Sequence, residues 1–164
     1  MAMKNTRMRI QLITVTLAAL AAWTFGSGLA LAQDDKAVIA YRQMVMRVIG
    51  ANMGSMGEIL KNKLPHGENI PAHAASMNAV AKIALSAFKQ QVTAGDTDAK
   101  PEIWQNWSKY EAAMEKLIEE SAAMAALDGK DMRAIGGQMK KLGGACKGCH
   151  EDFRKPKEES YKRK

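Results

Sequence analysis

The chain has 164 residues, with 24 lysines and arginines, 17 aspartates and glutamates and three histidines, so its net charge is +7. Its basic excess is confined to the two ends, which argues against the broad basic surface that nucleic-acid binding needs. With only two cysteines, Cys146 and Cys149, it is not a small fold held together by several disulfides.

Residues 1–32 have the pattern of a secretory signal peptide. Lys4, Arg7 and Arg9 precede a mainly apolar run at 10–25, and small residues before Gln33 suit cleavage after Ala32. An uncleaved anchor is the alternative, but the run is shorter than the roughly 20 residues that span a membrane. We therefore predict a periplasmic protein with one domain at 33–155 and a basic tail at 156–164. The tail is expected to be solvated and at most to steer an acidic partner toward the protein.

The first predicted helix covers 34–61, with Asp34 or Asp35 as its cap. Its apolar residues mostly recur at three- and four-residue steps, which is typical of a helix with one buried face. These residues are Val38, Tyr41, Val45, Ile49, Met53, Met56 and Leu60.

Three more helices are predicted at 71–92, 101–127 and 130–155. Pro71 and Pro101 are acceptable in a first turn, and Pro156 ends the last helix. Alanine, methionine, leucine, lysine and glutamate dominate, and no stretch alternates as a strand would. The predicted fold class is all-α, an antiparallel four-helix bundle.

The last helix carries Cys146-Lys147-Gly148-Cys149-His150, the attachment signature of a c-type haem. The Cys146–Cys149 and Cys146–His150 spacings of three and four residues share one helix face, so two thiols and an imidazole can meet one ring. Gly143 and Gly144 either make room for that flat ring or only weaken the helix.

Two other interpretations of the motif are weaker. A thioredoxin-like pair occurs near βαβ patterns, and none is visible. A zinc site needs a fourth ligand, but His66 and His73 are too far along the chain to pair by local spacing and are expected at the surface. The sequence therefore predicts one covalently attached haem c.

The whole predicted mature chain resembles the class II cytochromes c, the cytochrome c′ and cytochrome c-556 group. This resemblance rests on Tyr41-Arg42-Gln43, Gly50-Ala51-Asn52-Met53-Gly54, Pro101-Glu102-Ile103-Trp104 and Cys146-Lys147-Gly148-Cys149-His150-Glu151-Asp152-Phe153-Arg154. It implies a four-helix bundle with a haem bound through Cys146 and Cys149 and with His150 as the proximal iron ligand.

The resemblance also directs attention to the position three residues after the Tyr41-Arg42-Gln43 string, which is Met46. Cytochromes c′ have a non-ligating residue there and a five-coordinate iron, whereas cytochromes c-556 have a methionine that makes the iron six-coordinate. Met46 is therefore the predicted distal ligand, and the chain is closest to the c-556 type. Methionine at helical spacing is otherwise usually core filler, and Met53 is the main rival.

Two arginines are candidate cofactor-binding residues. Arg42 lies one turn before Met46, where it either binds a haem propionate or is a solvated surface residue. Arg154 lies one turn after His150, where the resemblance implies a basic residue beside the proximal imidazole or a propionate. Trp104, Trp107 and Phe153 are expected to pack the pocket and core.

These residues predict a single-haem electron carrier of the periplasm, with His/Met ligation and periplasmic redox proteins as partners. The alternative is a five-coordinate protein that binds nitric oxide or carbon monoxide, as the resemblance implies for the c′ type. A peroxidase-like enzyme is not expected, because the sequence offers no distal His/Arg pair. The resemblance allows a homodimer formed through the first two helices. No membrane anchor is expected after cleavage of the signal peptide.

Overall fold

The computed structural model describes residues 34–163. The predicted signal peptide and its cleavage site after Ala32 lie outside the described residues. Four long helices form an antiparallel four-helix bundle, as predicted, and no β-strand occurs within 34–163. They are α1 (Asp35–Lys61), α2 (Ile70–Ala87), α4 (Trp107–Ala125) and α5 (Met132–Phe153), with a short α3 (Glu102–Gln105) before α4.

Helix α1 has the bounds that its sequence predicts. The Asp34 carboxylate caps it by accepting a hydrogen bond of 3.0 Å from the backbone N–H of Lys36. At the other end Lys63 has a φ of 51°, the left-handed conformation that commonly ends a helix. Its buried face includes Val38, Val45 and Met56, but the predicted member Tyr41 is 52% exposed, and Arg42 is buried instead.

Helix α2 ends at Ala87, five residues before the predicted end. Two backbone carbonyls beyond it accept hydrogen bonds from side chains instead of from a continuing helix. The Phe88 carbonyl accepts from Nε1 of Trp104 at 2.7 Å, and the Val92 carbonyl accepts from Nη2 of Arg42 at 2.9 Å. The connection to α3 is therefore anchored to neighbouring side chains rather than helical.

The predicted third helix is interrupted at Asn106, whose φ and ψ of −128° and 54° are not helical. The interruption separates α3 from α4 and lets Trp104 reach Phe88 while Trp107 packs on Tyr110, with ring centroids 5.4 Å apart. Helix α5 begins two residues later than predicted, after Asp131 caps it through the N–H of Ala134 at 2.9 Å.

The packing of the four long helices is uneven. Helix α2 packs against α1 and α4, and α4 packs against α5, whereas α1 and α5 make few close backbone contacts. Methionines fill much of the core, where Met56, Met77, Met114 and Met124 are buried. None of the helices within 34–163 combines the length and apolar character needed to cross a bilayer.

Two loops meet at the end of the bundle where α1 ends and α5 begins. A Cβ atom added to Gly67 would lie 2.5 Å from the carbonyl oxygen of Gly129, and one added to Gly129 would lie 2.6 Å from the Cα of Glu68. These backbones approach too closely for any side chain. The pair of glycines therefore joins the α1–α2 hairpin to the α4–α5 connection.

The predicted solvated tail is exposed at 156–159 and 162–163, but Ser160 and Tyr161 dock on the bundle. Ser160 is buried, and its hydroxyl donates a hydrogen bond of 3.0 Å to Oδ2 of Asp98. The backbone N–H of Tyr161 donates to Oδ1 of the same residue at 3.1 Å. A basic sequence alone did not reveal this docking, because the acceptor lies more than 60 residues earlier in the chain.

Candidate cofactor site

A largely apolar cavity of about 430 Å³ lies where α1 and α5 are not in close contact. Side chains at 39–53 of α1, 110–117 of α4 and the end of α5 form its walls, together with Phe88, Ile103, the 97–99 loop and the C-terminal segment. Every predicted site residue lines it. These are Arg42, Met46, Cys146, Cys149, His150 and Arg154.

Cys146, Cys149 and His150 occupy the wall formed by α5. The helical spacing places both thiols and the imidazole toward one cavity, as predicted. Both cysteines are half-buried and unpaired, and burial raises the pKa of each thiol, that of Cys149 to about 11. At neutral pH the site therefore holds two neutral thiols rather than thiolates.

The His150 ring is exposed toward the cavity, although protein atoms surround much of it. This partial desolvation, together with the nearby Arg154 guanidinium, lowers the pKa of His150. A neutral imidazole has a free nitrogen lone pair and can bind a metal.

Met46 and Met53 both lie on the α1 wall, and both are half-buried. Their seven-residue separation places them on one face of the helix, so either thioether faces the volume opposite α5. The terminal methyl of Met53 lies 3.6 Å from the position that a Cβ on Gly143 would take. Met53 thus packs against α5, so the thioether of Met46 is the more available of the two to contact a bound group.

Arg42 is buried, so its interpretation as a solvated surface residue is wrong. Its guanidinium lies over the rings of Phe88 and Trp104, with centroid distances of 5.3 and 5.2 Å, and burial lowers its pKa. While Nη2 donates to the Val92 carbonyl, Nη1 is buried without a hydrogen-bond partner. A buried donor on a cavity wall is a site for a ligand carboxylate.

Tyr110 is a site residue that the sequence analysis missed. It is 2% exposed, lines the cavity, and packs its ring against Phe88, Trp107 and Phe153 at centroid distances of 5.4 Å each. Its hydroxyl also has no hydrogen-bond partner, and burial strongly raises the pKa of the phenol. No sequence pattern distinguishes a tyrosine hydroxyl that faces a cavity from one that is packed in the core.

Arg154 lies half-exposed beside the cavity, with Nη2 at 3.7 Å from Oδ2 of Asp98. Asp98 itself was not predicted as part of the site. The antiparallel bridge between Ala99 and Arg154 aligns the two segments, and the N–H of Lys100 donates to the Phe153 carbonyl at 3.0 Å.

The predicted packing residues lie in or against the core. They are Trp104, Trp107 and Phe153. Of the two histidines expected at the surface, His66 is exposed, whereas His73 is half-buried and its Nδ1 lies 3.1 Å from Oδ1 of Asn52.

A four-helix bundle that directs Cys-x-x-Cys-His from its last helix into an apolar cavity defines a c-type cytochrome of class II. The comparisons agree with this class. The family described as Cytochrome C′ matches residues 37–154. The chain is 32% identical over 129 residues to cytochrome c′ of Halomonas halodenitrificans, covering 74% of this chain and 98% of the relative.

Two further comparisons cover similar shares of the chain. Cytochrome c-556 of Agrobacterium tumefaciens is 34% identical over 116 residues, which cover 69% of this chain and 90% of the relative. The structure of cytochrome c prime from Shewanella frigidimarina aligns with a TM-score of 0.70 and 30% identity, covering 76% and 98% of the two chains. The chain belongs to the cytochrome c′ family, and its cofactor is one covalently bound haem c.

The residues of the cavity fit that cofactor. A haem is a flat apolar ring with two vinyl groups, a central iron and two carboxylates. The cavity offers an apolar volume, two unpaired thiols on one helix face, an imidazole, and the unpartnered Nη1 of Arg42. The amphiphilic character of the ligand therefore matches the side chains that line this cavity.

Proposed function

We propose that the chain is a periplasmic single-haem electron carrier with His150 and Met46 as the axial iron ligands. The observation that carries this proposal is the cavity, which His150 lines from α5 and Met46 lines from α1. Haem iron supplies one-electron redox chemistry, and histidine with methionine favours the ferrous form relative to two imidazoles. Filling both axial positions leaves no place for a substrate, which suits a carrier rather than an enzyme.

Cys146 and Cys149 attach the cofactor in this proposal. Their thiols would each form one thioether bond to a vinyl group of the haem. Both thiols are unpaired in the structure and so are available for this attachment. A double Cys146→Ser and Cys149→Ser variant should lose haem that survives denaturing electrophoresis, and retention of that haem would disprove the assignment.

Arg42 and Arg154 have separate roles. Arg42 binds a propionate through Nη1, because that donor is buried and its other nitrogen is already occupied by Val92. Arg154 would set the electrostatics beside His150, whose pKa is lowered first by burial and second by the charge of Arg154. Arg42 would thus act from the α1 wall and Arg154 from the α5 wall of the cavity.

The competing function is a five-coordinate protein that binds nitric oxide or carbon monoxide. What favours it is the apolar lining of the α1 wall, where Ile49 and Gly50 accompany the two methionines. If neither thioether binds iron, this wall forms a small hydrophobic pocket for a diatomic gas.

Optical spectra separate the two functions. Ferric and ferrous wild type, Met46→Ala and Met53→Ala are compared with and without carbon monoxide. The carrier requires a low-spin wild type that carbon monoxide does not alter, a high-spin Met46→Ala that binds the gas, and an unchanged Met53→Ala. Met53 is the matched control because it lines the same cavity from the same helix. A high-spin, gas-binding wild type would establish the competing function.

The proposed localisation follows from the signal peptide expected at 1–32, and the proposed partners are periplasmic redox proteins.

A homodimer is also proposed. Tyr41, Met44 and Val48 follow one face of α1 at exposures of 52%, 52% and 40%, and Ile83 on the adjoining helix α2 is 44% exposed. Apolar side chains at these spacings suit a helix-to-helix interface with a second copy.

A further inference from the structure

The C-terminal segment is fastened to the bundle by one carboxylate. Oδ1 of Asp98 accepts from the Tyr161 N–H, and Oδ2 accepts from the Ser160 hydroxyl. The carboxylate is largely buried, with a side chain that is 12% exposed, so these bonds are shielded from water. Hydrogen bonds to a charged acceptor are among the stronger ones in proteins.

The same residue also holds the end of α5 in place. Oδ2 of Asp98 faces Nη2 of Arg154 at 3.7 Å, and the Asp98 carbonyl accepts from the Lys155 N–H at 2.8 Å. The ammonium group of Lys155 donates to the Thr97 carbonyl at 3.1 Å. Asp98 therefore couples the cationic residue beside His150 to the segment that follows.

The fastened segment forms part of the cavity wall. Tyr161 and Lys162 line the cavity together with His150 and Arg154, whereas Arg163 does not. Lys162 is exposed at the rim, with its ammonium group 5.9 Å from the Tyr161 ring centroid. The chain thus adds a second cation to the side of the cavity where Arg154 already lies.

We propose that Ser160–Lys162 is a strap that closes the haem cavity beside His150, with Asp98 as its positioning residue and Lys162 as a cation acting on the haem. This inference rests on the proposed haem attachment. A covering strap reduces the contact of the haem with water, and a nearby positive charge favours the ferrous over the ferric state. Both effects raise the reduction potential.

The first test compares the reduction potentials of two holoprotein variants that lose the same charge at adjacent positions. Lys162→Gln should lower the potential at low ionic strength, and Arg163→Gln should lower it less, because only Lys162 lines the cavity. The difference between them should shrink at high salt, where exposed charges are screened. Equal shifts in the two variants, or no shift in either, would overturn the role of Lys162.

The second test addresses the anchor. Asp98→Asn should speed tryptic cleavage at Lys157 and Lys162 severalfold. Asp96→Asn is the matched control, since within 34–163 Asp96 is hydrogen-bonded only through its backbone carbonyl, which accepts from Nε2 of Gln43 at 2.7 Å. A chain ending at Glu159 should lower the potential more than Lys162→Gln does, because it loses both the covering segment and the cation. If that shortened chain keeps the wild-type potential, or if Asp98→Asn resists trypsin as the wild type does, the strap is refuted.

Failure of the strap and failure of the haem assignment give different results. Protection from trypsin reports the strap whether or not haem is attached. Covalent haem in the wild type, its loss in the double cysteine variant and the axial-ligand spectrum report the haem assignment whether or not the strap is closed. An unprotected tail on a low-spin holoprotein would reject only the strap.

Discussion

Nη2 of Arg42 donates a hydrogen bond of 2.9 Å to the carbonyl of Val92, fifty residues further along the chain. The guanidinium also lies over the rings of Phe88 and Trp104. One buried cation therefore joins α1, the end of α2 and the short helix α3 at the edge of the haem cavity. Its planar shape matters for both contacts, because a lysine ammonium cannot stack and hydrogen-bond in the same way.

Arg42→Lys should lower the free energy of unfolding by about 1–3 kcal/mol, because the Val92 carbonyl loses its partner inside the protein. The measurement is urea unfolding of the holoprotein. Arg133→Lys, at an exposed position on α5, serves as the control and should leave the stability unchanged. An Arg42→Lys variant as stable as the wild type would show that the stacked guanidinium contributes nothing.

Tyr110→Phe should keep or slightly raise the stability of the protein. The ring contacts with Phe88, Trp107 and Phe153 remain, and the hydroxyl that disappears has no partner within the described residues. Tyr110→Ala should instead cost about 3–5 kcal/mol through the cavity that it leaves. Thermal unfolding of both variants tests this, and the interpretation is wrong if Tyr110→Phe loses as much as Tyr110→Ala.

Glu120 should make stability depend on pH in the acid range. Its carboxylate faces the Lys116 ammonium at 2.8 Å and accepts from Nε2 of Gln138 at 2.6 Å. These contacts lower the pKa of Glu120 below its ordinary 4.5, with the Lys116 bond as the largest cause. Because the folded pKa is the lower one, the stabilisation is complete above about pH 4.5 and is lost as the pH falls through the folded value.

The measurement is the unfolding temperature of wild type and Glu120→Gln between neutral and acid pH. The wild type should be the more stable at pH 7, and the difference should vanish in acid. Glu119→Gln removes the other, exposed partner of the same lysine and should show a smaller difference at every pH. A difference between wild type and Glu120→Gln that persists unchanged in acid would contradict the assignment.

Oligomeric state can be tested on the exposed face of α1. Met44→Glu with Val48→Glu should convert a dimer to a monomer in sedimentation experiments, because two charges would be buried in the interface. Met132→Glu changes another exposed methionine, at the start of α5, and should leave the dimer intact. A wild type that sediments as a monomer would rule the dimer out.

The two loop glycines provide a test of the fold away from the haem. Gly129→Ala should lower the stability by about 1–3 kcal/mol, because the added carbon meets backbone rather than a flexible side chain. Gly136→Ala has open space around the new methyl group and should raise the stability by about 1 kcal/mol through helix propensity. Opposite signs in urea unfolding are expected, and a stabilised Gly129→Ala would refute the contact.

The sequence predicted features that depend on local spacing. The separation of Cys146, Cys149 and His150 placed all three on one helix face, and they line one cavity. Helix periodicity also gave the bounds of α1. The same periodicity placed the end of α2 at residue 92, five residues too late. The helix stops earlier because the carbonyls of Phe88 and Val92 accept hydrogen bonds from side chains that are distant in sequence.

Tertiary partners explain the remaining differences. The burial of Arg42 depends on aromatic rings from two other segments, so its own helix could not distinguish a solvated arginine from a buried one. The docking of the tail depends on Asp98, whose carboxylate has no recognisable motif. The axial role of Met46 stays a prediction, since Met53 lines the same wall.

The contact between Gly67 and Gly129 also has an evolutionary consequence. The constraint there is a distance between two backbones, which no compensating side chain elsewhere can relax. Lineages descended from this protein should therefore be free to change the haem rim, the tail and the partner surface while retaining these two glycines. The least substitutable positions outside the Cys-x-x-Cys-His motif should thus lie at the end of the bundle that performs no chemistry.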